Sequence, residues 1–278
     1  MVKPTRTAAH AAAHAAAHAA ARWHRQGWRA LALLAICTAS LQLYFVARIA
    51  LLTAVNPTST SFQRSEIKRL VVDQHALAWA QAWAPDALIA DNLKRAVIAS
   101  EDAGFVDHNG VEWDALEQAW DKNQRASAQA AKKNAALEKS HSKDRSGVKS
   151  KTPFEPKVVG GSTITQQLAK NLFLSGERTA PRKAQEFVIT LTLEALLSKR
   201  RILELYLNHV EWGEGLFGAQ AASHHYFKVD AARLSAPQAA RLAVMLPAPK
   251  RFEKSPGSAF VSGRAATILV RMPAAELP

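Results

Sequence analysis

Apolar residues run almost unbroken from Ala30 to Leu52, with only Thr38, Ser40, Gln42 and Arg48 as clearly polar interruptions. A helix of that length crosses the ~30 Å hydrocarbon layer of a bilayer, so the pattern predicts one transmembrane helix over residues 30–52. Trp28 and Tyr44 fall near its interfaces, and Arg22, Arg25 and Arg29 stand immediately before it. By the positive-inside rule the N-terminus stays in the cytoplasm and the rest of the chain lies outside. A cleaved signal peptide is the rival reading, but its apolar region is only ~7–15 residues long. Further on, Ile67, Leu70, Val71, Leu77, Trp79 and Trp83 predict a partly amphipathic helix over Arg64 to Trp83, close to the membrane. Asp91 reads as an N-cap for a helix that turns Leu93, Ala96 and Val97 to a core and delivers Glu101 near its C-terminal end. Thr179-Ala180-Pro181 opens another helix, to about Leu197, with Phe187, Val188, Leu191 and Ala195 on one side. A last one runs from Arg201 to Val210. Alternating strand patterns are scarce, so the fold class is mostly α.

Length and charge refine this picture. A chain of 278 residues with 48% apolar content supports one main domain with appendages. The net charge of +13 is local: residues 1–29 hold five basic and no acidic side chains, and residues 121–158 hold ten basic against four acidic. The remainder is nearly balanced, which argues against nucleic acid as a partner. The organisation expected is a low-complexity cytoplasmic tail at 1–29, the membrane helix at 30–52, a membrane-proximal segment at 53–90, and a body at 91–278. Residues 121–158, rich in Lys, Ala, Ser and Gln, read as a flexible insertion within that body. Cys37 stands alone, so no intrachain disulfide or multi-cysteine zinc site is available. His10, His14 and His18 recur every fourth residue in an alanine background, but no carboxylate or thiolate accompanies them as a metal set would require.

Three blocks carry candidate chemistry. Glu101-Asp102-Ala103-Gly104-Phe105-Val106-Asp107-His108-Asn109-Gly110 sets acid/base groups directly after an apolar helix. Gly160-Gly161-Ser162-Thr163-Ile164-Thr165-Gln166-Gln167-Leu168-Ala169-Lys170-Asn171 packs hydroxyls and amides where Ser162 or Thr163 caps a helix, itself a place for anions. In Arg182-Lys183-Ala184-Gln185-Glu186, Arg182 and Glu186 are four apart on one helical face, which alone describes an ordinary surface ion pair. With Arg178 and Lys170 near, the cations suit a phosphate-bearing substrate, and a meeting of Glu101 with Glu186 suits work at a glycosidic centre. Gly213-Glu214-Gly215-Leu216-Phe217-Gly218 spells GxGxxG without a βαβ unit and reads as a tight loop rather than a dinucleotide site. His224-His225 reads as a packed or surface pair.

Taken in order, the three blocks, the run Lys199 to Asn208 and the stretch Leu246-Pro247-Ala248-Pro249 resemble the peptidoglycan glycosyltransferases of family 51, in particular the monofunctional biosynthetic transglycosylases, over roughly residues 60–275. The resemblance implies a lysozyme-like, largely helical glycosyltransferase domain with a membrane-proximal jaw that polymerises lipid II in the bacterial inner membrane. It implies Glu101 as general base on the acceptor 4-hydroxyl and Glu186 as the second catalytic glutamate near the donor pyrophosphate. Lys170, Arg178, Arg182 and Lys183 would meet phosphates, Asp102, Phe105 and His108 would surround the base, and Ser162, Thr163, Gln167 and Asn171 would line the cleft. It allows a divalent cation, Mg²⁺ or Mn²⁺, and no organic cofactor. The partners it implies are lipid II, the growing glycan and membrane lipids, with room for other cell-wall synthases. The long segment between the first two blocks and the His/Ala tail depart from the family pattern. A glycan hydrolase and a catalytically idle, polyanion-binding scaffold are the alternative readings.

Overall fold

The computed structural model describes residues 6–75, 78–141, 161–177 and 179–278. It divides into two compact units, Met1–Leu51 and Leu52–Pro278. The first is a single helix, α1 (Arg6–Leu51), whose Arg25–Leu51 portion is long and apolar enough to cross a membrane.

The second unit is helical, as the residue pattern predicts. Its elements are α2 (Ser61–Asp73), β1 (Ala80–Gln81), α3 (Asp91–Glu101), α4 (Trp113–His141), α5 (Ile164–Phe173), α6 (Ala180–Leu196) and α7 (Lys199–His209). There follow β2 (Glu211–Gly213), β3 (Leu216–Phe217), α8 (Ala219–Phe227), α9 (Ala236–Met245), α10 (Pro249–Phe252) and α11 (Ala259–Arg271). One half of the core forms where α3 packs on α9 and α11. Leu93, Ala96 and Val97 of α3 and the small residues Ala239, Ala240 and Ala243 of α9 are all buried there. In the other half α5 packs on α2, α6 and α7 through Ile164, Leu168, Ile189, Leu193, Ile202 and Leu203. Arg201 ties the start of this unit to α7, donating from Nε to the Leu52 carbonyl (2.8 Å) and from a terminal nitrogen to Asn56 Oδ1 (2.7 Å), while Glu204 accepts from it at 2.7 Å.

The short strands form one sheet in the order β1-β3-β2, β1 parallel and β2 antiparallel to β3. The glycines of residues 213–218 make its tight loop, as the lack of a βαβ unit implies. Gly215 adopts φ +69°, and a Cβ there would stand 2.0 Å from the Ala78 carbonyl oxygen, while its own carbonyl accepts from Ala80 N–H at 2.9 Å. Gly215→Ala is therefore expected to cost roughly 2 kcal/mol or more through left-handed strain and backbone collision. Thermal denaturation should register this as a melting-temperature loss of about 5 °C or more.

Several boundaries differ from the expectations. The helix expected over Arg64 to Trp83 is α2, which starts earlier because Thr60 and Gln63 form a capping box and ends at Asp73, with His75 at φ +52° just beyond. Trp79 and Trp83 instead lie in extended chain, where Trp79 packs on Phe217 and Trp83 on His209. Asp91 sits in the first turn of α3, and Ala90 occupies the cap position. The final expected helix starts at Lys199 behind the Ser198 cap. Of the expected insertion, residues 121–141 continue α4 as helix, since Ala, Lys, Gln and Glu are strong helix formers even where they bury little; residues 142–158 lie outside the described residues. On α6, Phe187, Val188, Leu191 and Ala195 share a side, but Val188 and Leu191 are exposed, and the buried stripe is Glu186, Ile189, Thr190 and Leu193.

Candidate active site

α3 ends at Glu101, and Asp102 caps it with a backbone N–H to the Ile98 carbonyl. The Asp102 carboxylate points inward. Its Oδ2 accepts the Ile164 N–H at 2.9 Å, one of the amides that the first turn of α5 leaves without a helical partner. Its Oδ1 lies 2.7 Å from His108 Nε2, and His108 Nδ1 accepts from Gly110 N–H at 3.1 Å, which leaves Nε2 as the donor of a neutral ring. Thr163, in a capping box with Gln166 at the head of α5, donates its hydroxyl to the Gly110 carbonyl at 2.7 Å. The segment after the glutamate is thus fastened to the N-terminus of α5 at two places, through Asp102 and Gly110.

Beneath it lies a half-buried ion pair. Lys199 Nζ stands 2.9 Å from Glu194 Oε1, donates to the His108 carbonyl and covers the ring of Phe105 at 4.6 Å; Thr165 donates its hydroxyl to the same glutamate oxygen. Removing one partner leaves the other charge with only neutral hydrogen-bond partners, the Thr165 hydroxyl for Glu194 or the His108 carbonyl for Lys199. Lys199→Met is expected to cost about 2–4 kcal/mol, the lower part of the range for broken buried pairs because the lysine keeps some solvent contact. Urea unfolding midpoints check this, and Glu194→Leu added to Lys199→Met should recover part of the loss.

Glu101 itself accepts from Gln167 Nε2 at Oε2, 2.9 Å away. Burial pushes its pKa above the ordinary carboxylate value, the neighbouring Asp102 charge adds to the rise, and the Gln167 hydrogen bond opposes it. Gln167 is also a wall of a pocket of about 330 Å³ formed with Phe62, Ser162, Lys170, Asn171, Arg182 and Glu186. Lys183 lines the same pocket. Glu186 is 3% exposed, with Oε2 accepting from Arg182 at 2.9 Å and Oε1 from Lys183. This is more than a solvated helix-surface pair, because the carboxylate is buried while its two cations face the cavity. Thr179 caps α6, so the positive end of that helix adds to the same wall.

The structure therefore brings Ser162, Gln167, Lys170, Asn171, Arg182, Lys183 and Glu186 to one cavity, with Glu101 joined to it through Gln167. Asp102, Phe105, His108 and Thr163 do not line it. Asp102, Phe105 and Thr163 are buried and His108 is half-buried, and hydrogen bonds within the protein hold the polar ones beside Glu101. Arg178 lies outside the described residues. Among the described residues no three His, Cys, Asp or Glu side chains gather as metal ligands, and both Glu186 oxygens are held by cations. The sequence reading missed Phe62, Glu194 and Tyr206; the signal for Tyr206 is a polar tip in the buried apolar run Ile202, Leu203, Leu205 and Leu207.

Glu101, its carboxyl raised by burial, is thus joined through Gln167 to a pocket walled by Lys170, Arg182 and Lys183. The family model described as Transglycosylase matches residues 68–132 and 146–273. The chain is 48% identical over 248 residues to the biosynthetic peptidoglycan transglycosylase of Paraburkholderia xenovorans (strain LB400), covering 89% of this chain and 91% of that one. It is 48% identical over 238 residues to the protein of the same name from Herminiimonas arsenicoxydans, covering 86% and 91%. The chain belongs to the transglycosylase family.

Proposed function

We propose that this peptidoglycan glycosyltransferase uses Glu101 as general base and the Lys170, Arg182 and Lys183 wall to hold the pyrophosphate of lipid-linked donor sugar. Glu101 takes the proton of the acceptor's sugar 4-hydroxyl, and that oxygen forms a bond to the anomeric carbon of the growing glycan. The bond from that carbon to pyrophosphate breaks, its electron pair leaves with the phosphate oxygen, and undecaprenyl pyrophosphate departs. A single displacement converts the α-linked donor into a β-1,4 link. Charge grows on the leaving group as the bond breaks, and preplaced cations answer it without reorganisation. Glu186 holds the Arg182 and Lys183 side chains in place for that task. The observation that carries the reading is Gln167, which lines the cation-walled pocket and bonds Glu101 at 2.9 Å.

Further support comes from the surface. Trp113, Val188 and Leu191 are exposed apolar groups on α4 and α6, the latter also supplying the cationic wall, and they suit the polyprenyl chain of such a substrate. The arginines before the apolar helix favour an N-terminus in the cytoplasm and a body on the outer face of the inner membrane. Incubating the detergent-solubilised protein with labelled lipid II tests the proposal. Glycan polymer is expected; release of soluble muropeptides from purified sacculi, with no polymer from lipid II, would assign the site to hydrolysis instead.

A further inference from the structure

We propose that Tyr206 is a positioning residue for the transfer step: its hydroxyl fixes which end of the Gln167 amide faces Glu101, and so which carboxylate oxygen is left to take the acceptor's proton. The inference rests on the reading of Glu101 as the base. A glutamine amide has a donating and an accepting end of nearly equal shape, and the two have opposite effects on a neighbouring carboxylate. The N–H end favours the ionised form that can act as a base. The carbonyl end repels that form and can be satisfied only by the protonated acid.

In this fold the choice is made by α7. Tyr206 is 1% exposed, and its hydroxyl donates to Gln167 Oε1 at 2.9 Å. With the carbonyl end so held, Gln167 Nε2 donates to Glu101 Oε2 at 2.9 Å and, more weakly, to the Ser162 carbonyl at 3.4 Å. Both amide hydrogens and one carbonyl lone pair are thereby assigned, and among the described residues nothing bonds Glu101 Oε1, which is left for the substrate. Burial and the negative charges of Glu101 and Asp102 keep the phenol protonated far beyond its ordinary range, so it remains a donor. Packing alone would be served by phenylalanine, since the ring sits in an apolar helix face with Ile202 and Leu203. Burying a hydroxyl costs free energy unless it is bonded, and Gln167 supplies that bond.

The charged group that bears on Glu101 is Asp102 on its own segment, while the neutral Gln167 amide faces it from α5 and the neutral Tyr206 phenol meets that amide from α7. Lys170, Arg182, Lys183 and Glu186 stand further along the pocket wall. None of these is altered by Tyr206→Phe, which removes one oxygen and keeps the ring.

The test follows the Glu101 carboxyl by ¹³C NMR in full-length protein labelled at the glutamate side-chain carboxyls, with Glu101→Gln identifying the signal, beside the pH profile of kcat/KM on lipid II. Tyr206→Phe is expected to raise the Glu101 titration midpoint and the acid limb of the profile together by about one pH unit. KM on the alkaline plateau should stay within about twofold, as for a change that spares uniform substrate binding. Gln167→Met should give a similar shift, and adding Tyr206→Phe to it should add nothing, because the phenol acts only through the amide. A Glu101 midpoint unchanged in Tyr206→Phe, or two substitutions whose effects add, overturns the proposal. A midpoint that moves while the acid limb stays put supports the relay and removes Glu101 from the role of base.

Discussion

Glu101→Gln is expected to lower the turnover of lipid II by at least about 10³-fold while leaving the melting temperature within a few degrees of the parent. The amide keeps the shape of the carboxylate and can still bond Gln167 if that side chain turns over, but it cannot take a proton. The loss exceeds the usual ~10²–10⁴ span of a general base at its lower end because the nucleophile is a sugar hydroxyl that must be deprotonated as it attacks. The sign of the pH dependence follows from burial. Glu101 is raised above the ordinary carboxylate pKa by burial first and by Asp102 second, with Gln167 opposing. Activity therefore rises with pH through that elevated pKa, and the acid limb lies above the range of an exposed glutamate. Initial rates from labelled lipid II between about pH 4 and 8 read the limb directly, centred on the interval where a raised carboxylate titrates. Undiminished polymer from Glu101→Gln would end its assignment as base.

The second large effect is expected at the cationic wall. Arg182→Gln should reduce kcat by about 10²–10³-fold, the range seen when one preorganised donor to a developing negative charge is lost. Its guanidinium both faces the pocket and bonds Glu186 Oε2 at 2.9 Å, so among the described residues the substitution also leaves the buried glutamate with Lys183 as its charge partner. Glu186→Gln separates these two consequences. It keeps both cations but loosens their hold, and a smaller fall of about tenfold is expected, consistent with a positioning role. Arg182→Lys should recover charge without the planar fork and give an intermediate rate. Single-turnover measurements distinguish these changes in the chemical step from changes in lipid II binding. Equal kcat in Arg182→Gln and the parent would remove the wall from the mechanism.

The parts of this site that were legible in the sequence are those set by local signals. The helix that ends at Glu101, the Thr163 cap before Gln166 and the Thr179-Ala180-Pro181 start of α6 depend on neighbours a few residues away, and the structure places each where those signals point. The resemblance to family 51 then gathered the cations into one cleft. What escaped depends on distant partners. Trp79 and Trp83 looked like the apolar face of a helix, but their packing is decided by Phe217 and His209, which no local period encodes. α4 was misread because its residues were judged by how little they bury rather than by how readily they form helix. Nothing local shows that the Asp102 carboxylate turns inward, because its partner is the Ile164 amide 62 residues away. Tyr206 and Gln167 are 39 residues apart, and their contact exists because α5 packs on α7.

The central claim is that one pocket holds the base and the leaving group of the same reaction. A structure of the protein with a non-reactive lipid-linked disaccharide pyrophosphate and an acceptor sugar measures this most directly. The account predicts pyrophosphate oxygens about 3 Å from Lys170 and Arg182, and the acceptor 4-hydroxyl at a similar distance from Glu101 Oε1. Pyrophosphate bound away from α6, or a 4-hydroxyl that approaches some other acid while Glu101 bonds only Gln167, would contradict it.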